Sequence, residues 1–144
     1  MDRKILYDIG YGNQQPDDFL KRLKDAGIAV VMDVRRRGSS AWRNEYKPGT
    51  LARWLQTERI YTYSAGEFGN NCDALSDYPD WLAEHRGIEL GALVHVIQSY
   101  PHLSLCLLCA ERHAYKDGEV NCHRVHVADA LVKLLGEGWE VCHL

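Results

Sequence analysis

Apolar residues run along this chain in short dense blocks, separated by stretches where they recur at helical spacing. The first block, Ile5 to Ile9, ends in the turn-like Gly10-Tyr11-Gly12-Asn13 and reads as a buried strand. A helix then opens at Pro16, with Asp17 and Asp18 in a first turn where acids favour the dipole. Phe19, Leu20, Leu23 and Ala26 form its apolar face, and Gly27 is a natural stop. Ile28 to Val34 is a β-branched block, so the opening is strand, helix, strand: a βαβ unit, which implies a parallel pair.

A polar stretch from Arg35 to Gly49 precedes a helix over Leu51 to Thr57 and a strand over Ile60 to Tyr63. Gly66 to Asp80 reads as a loop. Leu90, Leu93, Val94 and Ile97 sit at helical spacing, and Pro101 ends that helix. Leu103 to Cys109 is the most apolar block and the expected central strand. After a polar loop, Asn121 is a candidate cap for a helix carrying Val127, Ala128, Leu131, Leu134 and Leu135 inward. Trp139 to His143 makes a last strand. The expectation is one α/β domain over residues 1–144, with three α/β/α layers and a mostly parallel sheet of about five strands.

Composition narrows the classes. With 46% hydrophobic and 26% charged residues the chain is globular in type, neither disordered nor fibrous. A formal net charge of −3 gives no general attraction to polyanions or anionic lipid, so such a partner needs a local basic patch. No apolar run approaches the ~20 residues of a membrane span, and the amino terminus lacks the apolar core of a signal peptide. Five cysteines are an odd number without a disulfide-framework spacing. A cytoplasmic protein with free thiols is expected.

Ligands in parallel α/β sheets bind beyond the carboxyl ends of the strands. That edge gathers Gly10, Gly12 and Asn13, then Asp33 with Arg35, then Cys109 with Glu111. The last long helix begins there with Asn121, Cys122, His123 and Arg124, and its free amides form an anion site. Cys122 and Cys109 are the nucleophile candidates, and His123, Glu111 and Asp33 the acid/base candidates. Arg124, Arg35, Gly10, Gly12, Asn13 and Asn121 are the ligand-binding candidates. Arg124 either holds a phosphate or carboxylate or pairs with Glu111 or Asp33.

The order Gly10 to Asn13 (GYGN), Asp33 to Arg35 (DVR), Leu107 to Glu111 (LLCAE) and Cys122 to Arg124 (CHR) resembles the domain of unknown function family 488 (DUF488), the YeaO-like proteins. The resemblance covers nearly the full chain, and the LLCAE and CHR pair is its most specific part. It implies a compact cytosolic α/β protein without an established activity. The loop from Arg35 to Lys47 lacks the proline expected soon after DVR, and the segment between Glu111 and Cys122 is long.

Other motifs weigh less. Cys106 to Arg112 has the spacing of a cysteine-phosphatase loop, but its spacer begins inside a strand. Cys106 and Cys109 imitate a redox pair, yet residues three apart in a strand point to opposite faces. Gly10-Tyr11-Gly12 lacks the third glycine of a dinucleotide fingerprint. Cys109, Cys122 and His123, with Glu111, have the donor types of a zinc site, but neighbours on a helix project about 100° apart. No cofactor or metal is therefore expected. Arg35, Arg36, Arg37 and Arg43 with Trp42 and Tyr46 resemble a nucleic-acid contact loop, which the acidic total disfavours. A small anionic ligand is the expected partner. Oligomeric state is not legible. Three readings stand: an enzyme with a cysteine nucleophile, a non-catalytic sensing or docking module, and a structural Arg–carboxylate network.

Overall fold

The computed structural model describes residues 4–36, 41 and 43–144. Its elements run β1 (Lys4–Gly10), α1 (Pro16–Asp25), β2 (Ile28–Asp33), α2 (Pro48–Thr57), β3 (Tyr61–Ser64), α3 (Tyr78–His85), α4 (Gly87–Ser99), β4 (Ser104–Cys109), β5 (Tyr115–Lys116), β6 (Glu119–Val120), α5 (His123–Leu135) and β7 (Trp139–His143). The five long strands pair in parallel in the order β3-β2-β4-β1-β7, and β5 and β6 form a separate antiparallel hairpin. This is the three-layer α/β/α arrangement read from the alternating blocks.

Strand periodicity builds the two cores. In β4, Leu105, Leu107 and Cys109 face one layer while Cys106 and Leu108 face the other. The first layer packs these against α3, α4 and α5 through Leu82, Leu93, Val127 and Leu131. The second packs against α1 and α2 through Phe19, Leu23, Leu51 and Leu55. Both faces of β4 are covered, which is why its sequence is apolar throughout. The two thiols of Cys106 and Cys109 therefore lie on opposite sides of the sheet.

Three local expectations differ from the fold. β1 and β2 are parallel but not neighbours, because β4 inserts between them and takes both central edges. The stretch Gly66 to Asp80 is not all loop: Pro79, in the first turn of α3, opens a helix where the glycine, asparagine and aspartate content suggested none. The polar segment before Cys122 holds the β5–β6 hairpin, with Asp117 and Gly118 both at positive φ in its turn.

Insertion of β4 is what makes the crevice. The chain leaves β1 and β2 toward helices on one face, and leaves β4 toward α5 on the other. Register sets Gly10 beside Cys109 and Asp33 beside Leu108, so these strand ends lie level at one edge. No helix among the described residues is long and apolar enough to cross a membrane.

Candidate functional site

Cys109 ends β4 and Cys122 precedes α5, and His123 Nδ1 sits 3.7 Å from the first sulfur and 4.0 Å from the second. All three side chains are buried. The 100° projection angle does not apply to Cys122 and His123, because Cys122 is the N-cap with extended backbone (φ −144°, ψ 140°). An extended residue followed by a helical one can aim both side chains at one point. The N-cap position expected of Asn121 belongs to Cys122, whose side chain makes no capping hydrogen bond. Asn121 instead donates its side-chain amide to the His113 carbonyl (3.0 Å), tying the helix start to the hairpin.

His123 has a fixed tautomer. Its Nε2 lies 2.9 Å from the Val34 carbonyl oxygen, an obligate acceptor, so Nε2 carries the proton and the Nδ1 lone pair faces the sulfurs. Tyr78 packs edge-on against the ring (5.2 Å between centroids) and donates its hydroxyl to the Phe68 carbonyl, closing the site from below. The Cys109 thiol donates to Cys122 and draws it toward thiolate against the cost of burial, helped by the Arg124 N–H. The same hydrogen bond, with desolvation, holds Cys109 well above the usual thiol range.

Arg124 is wholly buried beneath this site. Its Nε donates to Asp8 Oδ1 at 2.8 Å, and its Nη1 donates to the Glu111 carbonyl at 2.5 Å. Burial opposes its charge, but Asp8 and the Cys122 sulfur more than offset this and raise its pKa. The carboxylate partner is thus Asp8, not Glu111 or Asp33. Asp8 also faces His143 Nδ1 at 2.5 Å through its other oxygen. Nothing in the residue pattern around Arg124 pointed to Asp8, although an acid inside an otherwise apolar parallel strand is itself a signal that a cation lies opposite.

Gly10 and Gly12 serve the chain's own backbone. A Cβ on Gly10 would lie 1.5 Å from the Glu111 carbonyl oxygen, and one on Gly12 would lie 2.8 Å from the Ala110 carbonyl oxygen. The space these candidate ligand-binding glycines leave is filled by the loop after β4. Asn13 is exposed and adopts φ 55°, a turn role.

Asp33 and Arg35 are bound to each other. Arg35 Nε and Nη2 donate to the two Asp33 oxygens at 2.9 and 2.7 Å, Nη1 donates to the Tyr46 carbonyl, and the guanidinium lies over the Tyr11 ring. Burial opposes the Arg35 charge, but Asp33 outweighs it and the pKa rises. Of the basic loop, Arg35 and Tyr46 are therefore interior, and Arg43 sits 3.7 Å from Glu45. Arg37 and Trp42 lie outside the described residues. Arg36 is the exposed member.

A cleft of about 320 Å³ opens over the cluster, lined by Cys109, Cys122, His123, Asn121, Glu111, Arg35 and Arg36, with Asn70 and Leu75 on the far wall. Asn70 and Leu75 come from the stretch before α3 and carried no sequence signal. A parallel α/β protein with a Cys/His cluster at its strand-end crevice is the class these features define. The chain belongs to the DUF488 family, the domain of unknown function DUF488, whose model matches residues 15–131. No curated protein and no solved structure gives a significant match.

Proposed function

We propose that the protein binds a small anionic ligand, phosphate- or nucleotide-bearing, in the cleft over Cys122. One observation carries this reading: the amino terminus of the 13-residue helix α5, with no side-chain cap, opens into a cleft whose charged lining is Arg35, Arg36 and Glu111. The positive end of the helix dipole favours an anion there. Arg36 is the ligand-contacting cation in this reading, because Arg124 has no exposed surface and Arg35 is spent on Asp33. Arg124 supports the site from beneath, Asn121 holds the helix start to the hairpin, and Asn70 lines the far wall.

Isothermal titration of the reduced protein with inorganic phosphate and with nucleoside monophosphates tests the reading. Arg36→Gln is expected to weaken binding about tenfold, the equivalent of ~1.4 kcal/mol, while changing stability by less than ~0.5 kcal/mol. Equal affinity in wild type and Arg36→Gln, or no binding of either probe, rejects it.

A second reading makes the protein an enzyme with Cys122 as nucleophile. Cys109 and His123 flank its sulfur on the cleft floor, which gives it two partners for proton exchange. Cys109 and His123 are then the acid/base groups, with Glu111 at the exposed rim and Asp33 withheld by Arg35. Electrophilic substrate analogues carrying a phosphate should modify Cys122 before Cys72 or Cys142, read by peptide mass mapping. Equal modification of the three thiols counts against it.

A further inference from the structure

We infer that Cys109, Cys122 and His123 together bind a soft or borderline divalent cation, zinc foremost, with one coordination position open to the cleft. The inference rests on the reading of this cleft as the ligand site and gives it a cofactor, whose open position receives an anion oxygen. It also replaces attack by Cys122 with coordination through Cys122.

The donor atoms carry the argument. All three lie within 4.8 Å of one another. In a tetrahedral zinc centre, Zn–S of 2.3 Å and Zn–N near 2.05 Å set sulfur and nitrogen about 3.6 Å apart. The distances from His123 Nδ1, 3.7 and 4.0 Å, need adjustments of only a few tenths of an ångström. The nitrogen offers its lone pair, because the opposite ring nitrogen is committed to the Val34 carbonyl; metal-ligating histidines are oriented in this way. Two thiolates and a neutral imidazole neutralise a dication in a buried setting. Sulfur and imidazole donors select zinc, cobalt or iron over magnesium and calcium, which take oxygen.

Scaffold rigidity supports the same conclusion. Cys109 is held by the pairing of β4 with both β1 and β2, and Cys122 and His123 by the start of a 13-residue helix. Three protein ligands leave a fourth position, the pattern of catalytic rather than structural zinc. Among the described residues no other His, Cys, Asp or Glu joins the group, and Glu111 remains on the exposed rim.

The test uses the reduced full chain, stripped with a chelator and titrated with Co²⁺. One equivalent should produce thiolate-to-cobalt charge-transfer absorption with tetrahedral d–d bands, and Zn²⁺ should displace it. Cys109→Ser and Cys122→Ser should weaken binding by more than about a hundredfold, whereas Cys142→Ser should not. Because a serine variant can fail to fold, the wild type is also labelled with iodoacetamide. Zn²⁺ should protect Cys122, the thiol drawn toward thiolate, and leave Cys72 and Cys142 labelling unchanged. Absence of the charge-transfer band at stoichiometric cobalt overturns the inference, as does zinc protection falling on Cys72 instead of Cys122. Phosphate titration of the stripped and zinc-loaded forms separates the two proposals. Zinc uptake without phosphate binding upholds the metal site and rejects the anion reading; phosphate binding with no zinc uptake does the reverse.

Discussion

Asp8→Asn should lower the unfolding free energy by roughly 3–5 kcal/mol and the melting temperature by about 10 °C. Asp8 and Arg124 are both 0% exposed at the side chain and meet at 2.8 Å, so each is the other's electrostatic compensation in a medium that solvates neither. Asparagine keeps the shape and removes the charge. It leaves a buried guanidinium that cannot shed its proton, and whose Nη2 already lacks a hydrogen-bond partner. The reverse change, Arg124→Met, should cost less. Asp8 then keeps His143 at 2.5 Å as a partner, and a carboxyl can take up a proton. Combining the two changes removes both charges, so the double variant should be more stable than Asp8→Asn alone. Urea denaturation of the four proteins closes the cycle. Additive losses would show that the pair is not the interaction holding α5 to β1.

The same pair marks where reading the sequence stops. The layer architecture, the central β4 and the strand edge with Cys109, Cys122 and His123 follow from periodicity, because strand and helix spacing act over a few residues. Asp8 and Arg124 are 116 positions apart, and no local rule links them. Their pairing depends on strand order, and the βαβ reading of the opening could not foresee β4 lying between β1 and β2. Arg124 was expected to pair with Glu111 or Asp33 because those acids share its strand edge, whereas Asp8 sits inside the apolar block of the first strand. The Cys122–His123 geometry was misread for a different reason: a helix boundary one residue later turns a 100° separation into convergence. α3 was missed because composition outweighed the proline at its start.

Gly10→Ala should destabilise by about 3 kcal/mol and disturb the candidate site with it. A methyl at this position would sit 1.5 Å from the Glu111 carbonyl oxygen and 3.0 Å from Arg124 Nη1, inside any tolerable contact. Backbone cannot rotate away as a side chain does, so the loop after β4 has to move. That loop carries the carbonyl which accepts from Arg124 Nη1, and it follows directly on Cys109. Displacing it therefore loosens the buried arginine and the carboxyl end of β4 together. Gly27→Ala is the matched control. Its φ of +69° imposes strain, but nothing lies within 4 Å of the added carbon, so about 1 kcal/mol is expected. Urea denaturation of the two variants reads the difference, and amide hydrogen exchange at Cys109 to Arg112 and at the first turn of α5 reads its location. Equal losses in the two variants would mean that the loop yields freely and that the close approach at Gly10 carries no special constraint. A larger loss confined to Gly10→Ala, with faster exchange at both segments, ties the glycine of the first strand to the cysteine, histidine and arginine at the start of the last helix.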